Sequence, residues 1–314
     1  MILPEVGTKG QAALAGARVL VVGAGGLAAP ALPMLAGAGV GHLTLVDADT
    51  VDVSNLHRQT LFTEEDAGRP KAEAAASRLR ALNSEITVEA RGEALTPTNA
   101  AELVAAADLV LDCADSYAAS YTLSDVCLAA GRPLISASVL GMTGYCGGFC
   151  GTAPSLRAVF PDAPDNGASC ATAGVLGPVV GMAGAKQAQM ALAVLLGLTP
   201  SPLGQMVQIG AQDFRFSTFR FDTAPEPDTA FRFLSPAQFR EGDTIIELRG
   251  TDEAPEPLHP DALRIAPDDL PGALPAGTGR LVLCCATGLR SWRVADRIQQ
   301  DWPGAITLAA AATS

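Results

Sequence analysis

The chain has 314 residues, 48% of them apolar and 17% charged, and 33 acidic against 21 basic residues leave a formal net charge of −12. That length accommodates two cores, and so acidic a surface repels phosphodiester backbones, which excludes general nucleic-acid binding. The most hydrophobic stretch, residues 173–198, is interrupted by Pro178, Lys186, Gln187 and Gln189, so neither a membrane span nor a signal peptide is expected. Seven cysteines, an odd number, suit reduced thiols in a cytoplasmic protein better than a disulfide framework.

Residues 17–22 read as a buried strand ending at Gly23-Ala24-Gly25-Gly26, followed by a small-residue helix to about Gly39 and a second strand at 43–47. The alternation continues with helices near 71–82, 99–106 and 117–130 and strands at 86–90, 108–112 and 134–137. Strands alternating with helices of this kind predict an α/β fold with a Rossmann-like, mostly parallel sheet covered by helices on both faces. Gly- and Pro-rich sequence from 141 to 167 has no periodicity and reads as a long crossing loop. A long apolar helix near 173–198 and late antiparallel strands at 205–209 and 214–221 complete a first domain over residues 1–222. A Pro-rich acidic linker, 223–230, leads to a smaller α/β unit over 231–314, with strands at 244–248 and 281–284 and a helix from 290 to 300.

Gly23-Ala24-Gly25-Gly26-Leu27-Ala28 sits between a strand and a helix, as the first turn of a dinucleotide fold requires. Gly23 permits the tight turn, Gly25 lets the backbone approach a phosphate, and the helix N-terminus faces the anion. Asp47 ends the next strand, where a carboxylate can accept from ribose hydroxyls. The ordinary reading of that pattern is an NAD-dependent oxidoreductase. However, Ser54-Asn55-Leu56-His57-Arg58-Gln59 and Gly68-Arg69-Pro70-Lys71 follow directly, in a chain with only two other lysines, Lys9 and Lys186. A nicotinamide pocket calls for apolar groups, whereas a triphosphate calls for the fixed positive charge that Arg58 and Lys71 supply. Asp115, in Leu111-Asp112-Cys113-Ala114-Asp115-Ser116 at the end of another parallel strand, is placed to hold Mg²⁺ bridging phosphates.

These segments, with Ile2-Leu3-Pro4-Glu5-Val6-Gly7 and Leu45-Val46-Asp47-Ala48-Asp49-Thr50-Val51, resemble the MoeB/ThiF family, relatives of ubiquitin-activating enzymes, over about residues 2–220. The resemblance implies ATP-dependent adenylylation of the C-terminal glycine of a small ubiquitin-like sulfur carrier of MoaD or ThiS type, engaged through its Gly-Gly tail, followed by sulfur transfer to form a thiocarboxylate for molybdopterin or thiamine biosynthesis, tRNA thiolation or another sulfur-requiring pathway. It implies that Gly26 and Asp47 hold ATP, that Asn55, Arg58 and Lys71 clamp phosphates with Gln59 and Ser116 beside them, and that Asp115 holds Mg²⁺. Cys170 occupies the position of the cysteine that captures the activated carrier, and a homodimer is implied. Relatives carry an Arg-Tyr-x-Arg-Gln stretch ahead of the Leu3-Pro4-Glu5 segment; its arginine is not expected here. They also carry two Cys-x-x-Cys zinc pairs. Ser155 and Ala158 stand at the first pair and 221–230 contains no cysteine, so no zinc site is expected.

In the C-terminal unit, strand 281–285 leads through Ala286-Thr287-Gly288-Leu289 to Arg290-Ser291. This Cys-x-x-x-x-Arg-Ser pattern from Cys285 resembles a rhodanese active loop. A Cys-to-Arg loop of similar spacing also serves phosphatases. By the rhodanese resemblance Cys285 carries a persulfide, and a cysteine desulfurase is a candidate donor. A non-catalytic scaffold that retains only carrier binding is the other reading kept open.

Overall fold

The computed structural model describes residues 3–163 and 174–311. The first sheet has eight strands: β1 (Arg18–Val22), β2 (His42–Val46), β3 (Thr87–Arg91), β4 (Leu109–Asp112), β5 (Pro133–Leu140), β6 (Thr143–Cys150), β7 (Gln205–Gly210) and β8 (Arg215–Arg220). Their spatial order is β3-β2-β1-β4-β5-β6-β7-β8; the first five are mutually parallel and the last three antiparallel. Around them lie α1 (Gly7–Gly16), α2 (Ala28–Ala38), α3 (Lys71–Leu82), α4 (Ala100–Ala105), α5 (Tyr117–Ala130), the single turn α6 (Leu156–Val159) and α7 (Gly177–Leu195).

Successive residues of β1 divide between the two faces. Val19 and Val21 join a core with α2, α3 and α7, while Leu20 and Val22 join one with α4 and α5. A strand buried on both sides cannot alternate polar with apolar, which is why 19–22 reads as a continuous apolar run after the exposed Arg18. α7 crosses α2 so closely that a Cβ on Gly184 would lie 2.1 Å from the Leu27 carbonyl oxygen.

The second sheet is smaller and wholly parallel, in the order β10-β9-β11-β12, built from β9 (Thr244–Glu247), β10 (Leu263–Arg264), β11 (Leu281–Cys285) and β12 (Ile306–Ala310). α8 (Leu289–Ile298) packs on it. Phe233, Ile246, Leu283 and Trp292 belong to the same buried cluster as Leu20, Val110 and Tyr121, and the smaller layer meets the first through α5, where Tyr121 contacts Trp292.

The structure departs from the sequence reading at the crossing loop and at α1, β10 and β12. The expected crossing loop begins with an eight-residue strand, β6, in full antiparallel register with β5. Gly144, Gly147 and Gly148 conceal its alternation, and Gly148 is needed because a Cβ there would lie 2.5 Å from the Pro202 carbonyl oxygen. α1, β10 and β12 have no counterpart in the sequence reading. Leu14 is the sole buried residue of α1, so it presents almost no apolar stripe. No helix among the described residues is long and apolar enough to cross a membrane.

Ser155 and Glu226 meet where the resemblance would put the two zinc pairs. The Ser155 N–H donates to Glu226 Oε1 at 2.7 Å and its hydroxyl to Oε2, while Ser155 Oγ accepts from the Ala158 N–H at the start of α6. Beside them Arg157 donates twice to Asp125, at 2.6 and 3.0 Å, and to the Phe231 carbonyl at 3.0 Å.

Gly184→Ala is expected to force α2 and α7 apart and destabilise the fold by about 1–3 kcal/mol. A thermal melt matching the parent would contradict the close approach.

Candidate functional site

β1, β2 and β4 end together: Val22 pairs with both Val46 and Asp112. Between β1 and β4 the strand order reverses direction, and in open α/β sheets the crevice outside such a switch point is where ligands sit. Gly23 turns the chain there with φ +90°, and a Cβ would lie 2.5 Å from the Cys113 carbonyl oxygen, so only glycine fits. A cavity of about 380 Å³ opens at this edge.

Of the residues singled out from sequence, Gly23, Gly25, Gly26, Asp47, Arg58, Gln59, Lys71, Asp115 and Ser116 all line that cavity. Asn55 does not, but its Oδ1 accepts a hydrogen bond from Arg58 and fixes the guanidinium. Cys170 lies outside the described residues. Cys285 is buried behind the cavity wall, whereas its neighbours Thr287 and Leu289 line it.

Both oxygens of Asp47 are engaged: Oδ2 accepts the Ala24 N–H at 2.7 Å and Oδ1 the Asp49 N–H at 2.8 Å. These bonds tie the end of β2 to the glycine turn. Burial nevertheless holds its carboxyl above the ordinary carboxylate range, against the pull of those N–H groups and Lys71. Lys71, 7% exposed at the start of α3, reaches Asp49 Oδ2 at 2.8 Å. Asp115 is also held above its usual range by burial; Lys71 and Arg58 oppose the shift and Asp49 reinforces it. Asp47, Asp49, Lys71, Arg58 and Asp115 therefore form one electrostatic group, three carboxyls against two cations before any ligand arrives. Gln59 adds a polar opening. It is 4% exposed, and its Oε1 has no hydrogen-bond partner among the described residues, the condition of a buried acceptor that lacks its donor.

Asp112 lies beneath this floor, wholly buried. Its Oδ2 accepts from Ser136 Oγ at 2.8 Å and its Oδ1 from the Ala114 N–H at 3.2 Å, while Gln187 of α7 donates to its backbone carbonyl at 2.7 Å. Burial pushes its carboxyl up to about 6.

At the end of β11, Cys285 Sγ accepts N–H groups from Gly288 at 3.2 Å and Ser291 at 3.4 Å, and its thiol donates to Ser291 Oγ. Arg290 pairs with Glu253, at 2.8 Å. Two cavity residues that the sequence reading passed over are Asp49, visible two positions after Asp47 in the quoted motif, and Tyr121. Thr287 and Leu289 carry no signal toward the cavity, since only tertiary packing brings them there.

Fold and cavity together define a Rossmann-like α/β protein with a charged pocket at its switch point. The chain belongs to the ThiF family, whose model matches residues 1–230. It is 46% identical over 220 residues to the adenylyltransferase and sulfurtransferase MOCS3 of Bos taurus, covering 68% of this chain and 48% of that one. The sulfur carrier protein adenylyltransferase of Thermus thermophilus is 42% identical over 224 residues, covering 69% of this chain and 83% of the relative. The chain thus spans about half the length of the mammalian relative and most of the bacterial one. Among solved structures, Escherichia coli MccB with ATP superposes with TM-score 0.60 at 22% identity, over 68% of this chain and 66% of that one, a likeness of fold.

Asp112 makes stability pH-dependent in a known direction. With its folded carboxyl at about 6 against an ordinary aspartate's 3.8, the unfolded state releases its proton first as pH rises. Stability therefore falls between about pH 4 and 6, by at most about 3 kcal/mol. Relative to the parent, Asp112→Asn should gain stability steadily over that window in urea titrations. A parent–variant difference that stays constant from pH 4 to 7 would remove the buried carboxyl from the account.

Proposed function

We propose that the chain adenylylates the C-terminal glycine of a small ubiquitin-like sulfur carrier of MoaD or ThiS type, using Mg-ATP. One observation carries the reading: the glycine turn, Arg58, Lys71 and Asp115 converge on a single cavity at the switch point. The bacterial relative named as a sulfur carrier protein adenylyltransferase supports the choice of substrate class. The chain is accordingly an E1-like nucleotidyltransferase.

The chemistry demands charge neutralisation before anything else. A carboxylate oxygen of the carrier attacks the α-phosphorus of ATP, the bond to the β,γ-diphosphate breaks, and acyl adenylate and pyrophosphate result. Two anions must meet in line, so the site needs fixed cations and positioning more than a base. Gly23 and Gly25 bring backbone to the phosphates, and Gln59 Oε1, which has no hydrogen-bond partner among the described residues, lies on the cavity lining as an acceptor for a nucleotide group. Lys71 exchanges Asp49 for phosphate oxygens, and Arg58, steadied by Asn55, meets the others. Asp115 would hold Mg²⁺, with Asp49 beside it. Among the described residues no three His, Cys, Asp or Glu side chains gather as a metal cluster. The Mg²⁺ ion would supply further charge neutralisation across the phosphate chain.

The sulfur step is proposed at Cys285, whose sulfur rests among the N–H groups of Gly288 and Ser291 as an anion-stabilising cradle. The mammalian relative's name, which includes sulfurtransferase, supports it. A cysteine desulfurase is the proposed donor, Cys170 the proposed site of carrier capture, and a homodimer the proposed assembly. The rhodanese-like unit is taken to begin near residue 231.

Carrier-dependent exchange of labelled pyrophosphate into ATP tests the reading. Asp115→Ala and Lys71→Ala should each lower the exchange rate by about 10²–10³-fold without loss of fold. Robust exchange in both variants, or none from the parent with any MoaD- or ThiS-type carrier, would overturn it.

A further inference from the structure

The loop after β11 is pressed onto the start of α5, the helix that follows the Asp115 segment. The Thr287 carbonyl accepts the Ala118 N–H at 3.1 Å and the Ser116 hydroxyl at 3.4 Å. The seam leaves no slack. Gly288 turns with φ +94°, and a Cβ on it would lie 2.6 Å from the Phe233 ring and 3.2 Å from the Ala118 nitrogen. One turn along each helix, Tyr121 and Trp292 meet edge to face with centroids 4.5 Å apart, and the Arg157 guanidinium lies 4.8 Å from the Tyr121 ring centre. Thr287 and Leu289 thereby face the cavity that holds Asp115 and Lys71, although both lie beyond residue 230, where the family match ends.

We propose that loop 286–289 of the C-terminal unit is a working part of the adenylation site. Its Thr287 carbonyl positions the Asp115–Ala118 segment, and Thr287 and Leu289 wall the cavity so that the acyl adenylate is shielded from water. This rests on the adenylation reading above. An acyl adenylate is a mixed anhydride that water cleaves to carboxylate and AMP, so the unit that follows it in the reaction sequence gains by sealing the chamber in which it forms. Thr287 and Leu289 are positioning and shielding residues in this account; neither exchanges a bond with substrate.

Two measurements on the full chain test it. In the first, Thr287→Cys is alkylated with iodoacetamide with and without Mg-ATP, and modification at position 287 is read by peptide mass spectrometry. Mg-ATP should slow it at least tenfold; an unchanged rate contradicts the wall. In the second, Leu289→Ala is given Mg-ATP and a carrier that supports exchange by the parent, with no sulfur donor. AMP release should rise about five- to tenfold relative to pyrophosphate exchange in the same sample, and KM for ATP should rise several-fold. A purely structural defect would lower kcat and the melting temperature together, and that result, or AMP release equal to the parent, overturns the proposal. Failure of the parent to exchange at all would instead strike at the adenylation reading beneath it.

Discussion

β1 and β4 approach so closely that nothing larger than hydrogen fits at Gly23, where a side chain would strike the Cys113 carbonyl. That contact fixes the distance between the glycine turn and the Asp112–Ser116 segment, and hence the width of the crevice between them. Asp47 braces the turn from the other side through the Ala24 N–H. Gln187 holds the Asp112 carbonyl from α7, and α7 in turn rests against Leu27 through Gly184. The pocket floor is therefore a set of backbone groups held by neighbouring strands and one long helix, with little freedom to relax around a ligand.

Electrostatics imposes the second requirement. A chain with net charge −12 repels an anionic substrate at long range, and short-range cations have to compensate. Keeping a lysine buried without a ligand demands a partner, and Asp49 provides it at 2.8 Å. Because the Asp49 side chain is about half exposed while Lys71 is not, the carboxylate is free to return to water in the proposed exchange with phosphate. The pair thus stores a positive charge in the pocket at modest desolvation expense.

Much of this was legible in the sequence because the relevant signals are local. The strand–glycine–helix turn, the acidic strand end, and the Arg58, Lys71 and Asp115 positions lie in contiguous motifs, and the alternation of strands with helices gave the parallel half of the sheet. The antiparallel strand β6 escaped because three of its eight residues are glycines, so it has backbone pairing without side-chain periodicity. β12 escaped because its residues, 306–310, lie in a short Ala-rich segment whose place in the sheet comes from pairing with β11. The contribution of Thr287 and Leu289 to the cavity arises from the meeting of two layers far apart in the chain. No spacing rule connects residue 115 with residue 287.

The fastening between Ser155 and Glu226 has a wider implication. It joins segments 71 positions apart through oxygen and nitrogen atoms alone, so neither a chelating agent nor a thiol oxidant has a handle on it. A cell depleted of transition metal, or under peroxide challenge, would leave this closure intact at moments when a thiolate-ligated cross-link would come undone.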